Sequence, residues 1–422
     1  GGGLWICSGT TLYRYHEGQA PVVLDKQVGR RANIMMEDRH GGLWIGTDSD
    51  GAFYFDREEL TRIPTSDSGI TSVIEDAEGS IWLGTRNGGL NQVRPRTISI
   101  EGATTGLPVE IIRSLCEDPS GRLWAVTRDG SLIARGAEGW EAEPVTKPSL
   151  TRFTCITADP RGTIWTGTTH GSAERRLWAW RDGAVSTWGD AEGLACTTVN
   201  HLLVSRAGDL WVAGSNPSTV AYVRGGQLTN LALPASARTA GIRALAEDKN
   251  GDVWIGTSSG ELLRASGDRV IDEANATSVR RPIHTLETTA DGSLWIGYAV
   301  AGLGRLKDGK FAHIDRDQGL NVGGITHILA DQLGALWLAG DEGIFRARQT
   351  DLTEVAEGRA TRIQAIRYGD DEGLPSLHVF SSSYGGALRS RDGRLWFTMG
   401  AALAIVNPAH AGHDLPPPTA LI

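Results

Sequence analysis

No apolar run in this chain approaches the roughly 18–20 residues that a membrane-spanning helix needs. No signal peptide is visible. The chain does not begin with Met and opens inside a repeat, so it is read as a piece of a longer protein. The missing targeting signals therefore carry no weight on location. No Walker, H-E-x-x-H or G-x-S-x-G pattern occurs, and no nucleophile stands at fixed spacing from a base. No catalytic residue, metal site or cofactor is expected. Lys and Arg number 41 against 50 Asp and Glu, a net charge of −9. A nucleic-acid or anionic-membrane surface wants clustered cations, so neither partner is expected. The four cysteines, Cys7, Cys116, Cys155 and Cys196, stand singly and form no metal-cage or disulfide framework pattern. Aromatic content is only 7%, yet 14 of those residues are Trp.

Ten of the tryptophans organise what is present. They are Trp5, Trp44, Trp82, Trp124, Trp165, Trp211, Trp254, Trp295, Trp337 and Trp396. A glycine stands three residues before each, and Leu, Ile or Val directly before it. Glu247 to Thr257 shows the unit: Asp248 and Asn250 enter a turn, Gly251 closes it, and Val253-Trp254-Ile255 suits a pleated, buried strand. The intervals run from 38 to 46 residues, with a last one of 59. A near-constant pitch of this size marks a repeat architecture.

Each period reads as four strands. In the repeat of Trp295 they are Ile283–Leu286, Leu294–Gly297, Gly302–Leu306 and Lys310–Ile314, with Asp308-Gly309 as a hairpin turn. Three short hairpins per period without helical periodicity make a propeller blade, so the fold class is all-β. A solenoid of ββ units is the competing architecture. About 17 extra residues around Gln349 to Tyr368 account for the long last interval.

The first strand carries columns. Twelve and nine residues before the Trp the residue is apolar, for example Ile283 and Leu286. Their odd separation predicts opposite faces of a sheet buried on both sides. Eleven before, the column is polar: Asn33, Thr71, Arg113, Thr154, Asn200, Arg243, His284 and Thr326. If this strand lines the axis, the column rings one mouth of the channel. Arg113 and Arg243 offer planar donors that match carboxylate or sulfate. With Asn200, His284 and Thr326 they are the candidate ligand-binding residues, for a small polar or acidic ligand. The plainer reading is channel-lining groups bonded to water.

Other constellations have plain readings. The recurring Asp (Asp38, Asp76, Asp118, Asp159, Asp248, Asp331) is a turn cap rather than an acid catalyst. Asp248 to Asp252 echoes the start of a calcium loop, but its twelfth position is Ser259 and Glu261 falls two residues late. His201, His284 and His327 sit on first strands at two different offsets and read as structural. Cys116 and Cys155 fall in the same strand of adjacent repeats. That leaves a disulfide open beside the simpler reading of two buried thiols. Trp140, Trp178, Trp180 and Trp188 lie outside the repeat and would serve a protein-binding rim. Trp178 and Trp180 share a strand face, which equally suits packing on a neighbouring blade.

The pattern Asp-x-x-Gly-x-[Leu/Ile/Val]-Trp-[Ile/Leu]-Gly-Thr, followed by Gly-Gly-Leu, resembles the two-component regulator propeller repeat. Glu75 to Thr85 with Gly88-Gly89-Leu90 matches closely, as does Glu37 to Thr47. The Asp is replaced by Ser205, Thr289 and Ser390, and the Gly two after Trp by Cys7, Val126, Ala213, Ala339 and Thr398. The resemblance implies an extracytoplasmic, periplasmic ligand sensor, binding an oligosaccharide fragment and relaying it to a histidine kinase or other output domain. It also implies a homodimer through the full-length sensor, and membrane attachment only through a segment downstream. Sensors of this kind carry tandem seven-bladed propellers. Residues 1–100 are accordingly read as the last three blades of a first propeller and 101–412 as a complete seven-bladed one. Residues 413–422, rich in Pro, then form an exit linker to a β-sandwich. A single larger ring stays open, as does a lyase or glycosidase of the streptogramin-lyase type, which a similar Trp-bearing repeat suggests.

Overall fold

The computed structural model describes residues 3–411 except 29–30, 40, 57–58, 77–78, 95–96, 103–105, 108–110, 137–138, 144–151, 170–174, 274, 370–373, 375–384 and 401. The expected exit linker, 413–422, lies outside the described residues. Among the described residues there are ten antiparallel sheets, one per Trp repeat. The sheet of Trp254 is representative. Its strands Ile242–Glu247, Val253–Thr257, Leu262–Ser266 and Arg269–Asp272 hydrogen-bond in chain order.

The turn between the first two strands shows why the repeat needs its Asp. Gly251 takes φ +87° and donates its N–H to the carbonyl of Asp248. One Asp248 oxygen accepts from the backbone N–H of Asn250 at 2.8 Å and of Asp252 at 3.2 Å; the other accepts from the indole N–H of Trp254 at 3.0 Å. The carboxylate thus ties the turn to the tryptophan. Asp38, Asp76, Asp118, Asp159 and Asp331 hold their indoles in the same way. Where the Asp is replaced, Thr289 accepts from Trp295 at 3.1 Å and Ser390 from Trp396 at 3.0 Å.

Where a following sheet stands in the same unit, the indole faces it, while the apolar residues beside the indole face the previous sheet. Trp211 packs with Ile242, Leu245, Val253 and Ile255 of the following sheet, and Trp295 with Ile325, Ile328, Leu336 and Leu338. The expected split of the two apolar columns onto opposite faces is overturned. Ile283 pairs with Tyr298 and Leu286 with Ile296, two residues apart on one strand and so on one face. A β-bulge between Ile283 and Thr285 inserts the extra residue, His284, that cancels the odd offset. The glycine two after Trp lets the next sheet come close. A Cβ on Gly256 would stand 2.5 Å from Cγ2 of Ile283, and one on Gly167 2.5 Å from Cγ1 of Val199.

The chain divides into two compact units, Gly1–Thr97 with Ala409–Ile422, and Ile98–Pro408. The second holds seven four-stranded sheets. Its innermost strands, Ile112–Glu117, Phe153–Ala158, Thr198–Val204, Ile242–Glu247, Ile283–Thr288, Ile325–Ala330 and Ala387–Arg389, touch in that order, and the last touches the first. The last sheet is built from both ends of the unit: Ile98–Glu101 pairs with Leu403–Val406 as its fourth strand. Across the closing junction Trp396 packs with Ile112, Leu115 and Leu123. There, too, the backbone N–H of Arg391 donates to Glu117 at 2.8 Å.

The first unit holds three sheets, those of Trp5, Trp44 and Trp82, of three, four and three strands. The Trp44 sheet packs on both of the others. The extra residues of the long interval correct one expectation. Gln349–Ala356 is a helix, with Leu352 fully buried beside Ile363. The insertion ends before Tyr368, because Ile366–Tyr368 is the fourth strand of the Trp337 sheet.

Candidate ligand-binding site

Asn33 and Thr71 sit at β-bulges, and so do the six members of the polar column within Ile98–Pro408. The pairing shifts between Ile112 and Ser114, Phe153 and Cys155, Val199 and His201, Ile242 and Ala244, Ile283 and Thr285, and Ile325 and His327. The residue skipped is in turn Arg113, Thr154, Asn200, Arg243, His284 and Thr326. A bulged residue leaves the ladder and re-aims its side chain. All six lie at the start of the innermost strand, at the end away from the Asp-x-x-Gly turns.

These residues separate by neighbourhood. Arg113 is half-buried, and burial followed by the nearby guanidiniums of Arg128 and Arg152 lowers its pKa from the ordinary arginine value. It has no hydrogen-bond or ion-pair partner among the described residues. Arg243 lies beside His284. Burial first, then Arg243, lowers the His284 pKa, with the Asp341 carboxylate opposing. The imidazole Nδ1 is buried without a hydrogen-bond partner among the described residues. Thr326 and Asn200 are nearly fully buried. The Thr326 hydroxyl donates to the carbonyl of Ala339 at 2.9 Å, so it is engaged by its own sheet. The column thus supplies a guanidinium cluster around Arg113 and an Arg243–His284–Asp341 group. Arg128, Arg152 and Asp341 were missed by the sequence reading. Arg128 and Asp341 both stand four residues after their tryptophans, where the residue type changes from repeat to repeat, and Arg152 directly precedes the first strand of its sheet.

The remaining candidates have structural settings. His201 accepts from the backbone N–H of Leu245 at Nδ1, and burial takes its pKa down to about 4. All four cysteines are free thiols. Burial pushes Cys155 up to about 12 and Cys196 up to about 11. In the turn that echoes a calcium loop, Glu261 is engaged by the hydroxyls of Thr257 and Ser259. Among the described residues no three His, Cys, Asp or Glu come together as metal ligands. Trp178 and Trp180 stack at 5.9 Å and meet Phe153 edge-on, facing the preceding sheet through Cys116, Val126 and Leu132. Trp140 is buried, and its indole N–H donates to Glu101 at 2.8 Å. Trp180 and Trp188 are partly buried, Trp188 on an outer strand.

Residues 65–87, 106–129 and 238–259 match the family described as two component regulator propeller. No curated protein matches the chain. Among solved structures, the extracellular domain of the hybrid two component system BT3049 from B. thetaiotaomicron superposes with a TM-score of 0.62 at 18% identity, over 97% of this chain and 55% of that one. The extracellular domain of BT4673 from the same organism gives 0.52 at 16%, over 99% and 57%. Virginiamycin B lyase from Staphylococcus aureus gives 0.56 at 13%, over 74% and 99%. The chain therefore spans little more than half the length of those extracellular domains. At such identities the likeness is one of fold. Among the described residues no helix is long and apolar enough to cross a membrane. The chain is a β-propeller protein, and three of its segments match the two-component regulator propeller repeat.

Proposed function

We propose that this chain is the periplasmic ligand-sensing propeller region of a bacterial two-component sensor. In this reading Ile98–Pro408 is a complete seven-bladed propeller, and the three sheets before it belong to a preceding one. An acidic oligosaccharide binds at the channel mouth. The signal passes to a histidine kinase domain of the full-length protein through a change in the arrangement of a homodimer. A ligand achieves this only by binding one arrangement more tightly than the other.

The observation that carries the ligand class is Arg113. It is a half-buried guanidinium beside Arg128 and Arg152 with no described carboxylate partner, in a chain of net charge −9. A guanidinium without a described counter-charge is relieved by an anion, and it binds carboxylate or sulfate through two parallel hydrogen bonds. Calorimetry with an oligogalacturonate checks it. Replacing Arg113 and Arg243 by Ala is expected to weaken binding at least tenfold, whereas unchanged affinity would remove both residues from the site.

The Arg243–His284–Asp341 group favours a second reading, a propeller lyase. A half-buried His whose pKa is lowered is neutral near pH 7 and competent as a base. One of the similar structures is a streptogramin B lyase. Ring opening of a streptogramin B by the purified chain, lost in His284→Ala, would support this reading. An intact antibiotic after prolonged incubation would remove it.

A further inference from the structure

The charged groups around the polar column are not spread evenly over the seven innermost strands. Arg113 stands on the first, Ile112–Glu117, and Arg128 at the second hairpin of the same sheet. The tip of that hairpin lies against the entry to the second innermost strand. A Cβ on Gly130 would stand 2.5 Å from Cα of Arg152, and the Phe153 N–H donates to the Gly130 carbonyl at 3.4 Å. Arg113 and Arg152 have no ion-pair partner among the described residues. Asp129, on the same hairpin, has its carboxylate engaged by the Thr127 and Ser131 hydroxyls. Arg243, His284 and Asp341 come from the fourth, fifth and sixth sheets of the ring. In a ring of seven, the fifth member stands opposite the junction of the first and second. The two groups therefore face each other across the axis.

The groups differ in sign. The first is three guanidiniums. The second sets one guanidinium near the carboxylate of Asp341, which is exposed and accepts no hydrogen bond among the described residues. Its Oδ2 lies 3.1 Å from where a Cβ on Gly324 would stand, at the entry to the sixth innermost strand. Exposed Glu342 follows it. Between the groups the column is neutral and bonded to the protein itself: the Thr154 hydroxyl donates to the Val199 carbonyl at 2.5 Å, as that of Thr326 does to Ala339. One residue further along the strands the axis is crossed. His201, on the third, brings Cδ2 to 3.9 Å from where a Cβ on Gly385 would stand. Gly385 leads into the seventh, and its carbonyl accepts from the Ser114 hydroxyl and the Leu115 N–H of the first, both at 3.2 Å. A ligand at this mouth therefore lies across it rather than threading the channel.

We infer that the ligand is an oligosaccharide acidic at one end and neutral at the other, with its single carboxylate on Arg113 and its uncharged sugar over Arg243, His284 and Asp341. The inference rests on the acidic-oligosaccharide reading above and adds the ligand's polarity. At the acidic end, guanidinium and carboxylate pair through charge-assisted hydrogen bonds. At the neutral end, sugar hydroxyls both donate to the Asp341 carboxylate and accept from the Arg243 guanidinium, which only a group with both capacities can do. A second carboxylate placed there would meet Asp341 and Glu342. Like charges set against each other reject a wrong partner, which is how a binding site gains specificity without a new attraction.

The test uses the whole chain and one sugar skeleton, so that only charge changes. Trigalacturonate is compared by calorimetry with its two forms that keep a single terminal carboxylate, the others being methyl esters. The tighter of these two is expected to bind about tenfold better than the fully acidic trisaccharide. Asp341→Asn, at an exposed position and with the melting temperature kept, should improve binding of the fully acidic form about fivefold and leave the singly acidic one within about twofold. Arg113→Ala should weaken the singly acidic form about tenfold. Binding of trigalacturonate as tight as that of both singly acidic forms, or an affinity for it unchanged in Asp341→Asn, would overturn the polarity while leaving the acidic-ligand reading in place. Absence of binding by all three compounds would overturn both.

Discussion

Leu90 and Leu262 hold the same place in their sheets, each paired with the glycine two residues after its tryptophan. Leu90 is 64% exposed and Leu262 is 0%. The sequence around them is the same repeat. What differs is the neighbour. In the unit Ile98–Pro408 every sheet has one on each side, and Leu132, Leu262 and Leu303 are all buried. In the unit of residues 3–97 the Trp82 sheet leaves Ile74 and Leu90 exposed on the face where an indole would meet a following sheet. The Trp5 sheet leaves Leu4 and Ile6 exposed on the opposite face. Only the middle sheet, that of Trp44, is covered on both sides, and its strand Leu43–Thr47 is wholly buried. A repeat of this kind cannot cover its own faces, so its stability lies in nearest-neighbour interfaces. Seven sheets whose first and last members meet satisfy all of them.

The largest expected consequence concerns the indoles. Trp396 is almost fully buried at the junction that closes the ring, whereas Trp82 is half-buried on an open face. Trp396→Ala should cost about 3–5 kcal/mol, as for buried aromatic truncations, and Trp82→Ala less than half of that. Urea denaturation of the two variants measures the ratio; equal costs would mean that the junction contributes nothing. The leucine pair gives the next effect. Leu262→Ala should cost about 2–4 kcal/mol, while Leu90→Ala should stay within about 0.5 kcal/mol, as exposed positions do.

The smallest effect is electrostatic and comes from the same column. Ile74 and Glu287 both pair with their tryptophans, yet the apolar residue is exposed and the acid is half-buried. Burial pushes Glu287 up to about 7; the Ala330 N–H, donating at 3.2 Å, and the Arg389 guanidinium act the other way. Its carboxyl therefore binds a proton more tightly folded than unfolded. The stability it contributes is full below about pH 4.5 and is lost as pH rises through about 7. Glu287→Gln should gain on the wild type by roughly 1–2 kcal/mol between about pH 5 and pH 8, part of the shift being offset by water reaching this half-buried side chain. A pH-independent difference in melting temperature would contradict that origin.

The ring was legible because its signal is periodic. Turn glycine, capping Asp and indole recur at one pitch, and each is explained by a contact within or next to its own sheet. The bulge was not legible. The column of Arg113, Asn200 and His284 looks like an ordinary alternation in sequence. Only the pairing of Ile283 with Tyr298 shows that one residue is extra and that both apolar columns share a face. The fourth strand Ile98–Glu101 was hidden for another reason: its partner Leu403–Val406 lies some three hundred residues away, and no local pattern links them. The reading that ended the first blades at residue 100 runs through that strand.

Closure is the claim on which the rest depends, and Ser99 and Ile405, paired directly across the last sheet, offer a way to trap it. In a Ser99→Cys, Ile405→Cys variant, mild oxidation should give an intramolecular disulfide in near-quantitative yield, because paired residues on adjacent strands lie within bridging distance. Peptide mapping by mass spectrometry should then find the two segments joined in the monomer. Free thiols at both positions, or links formed only between chains, would show that the strand does not close the ring.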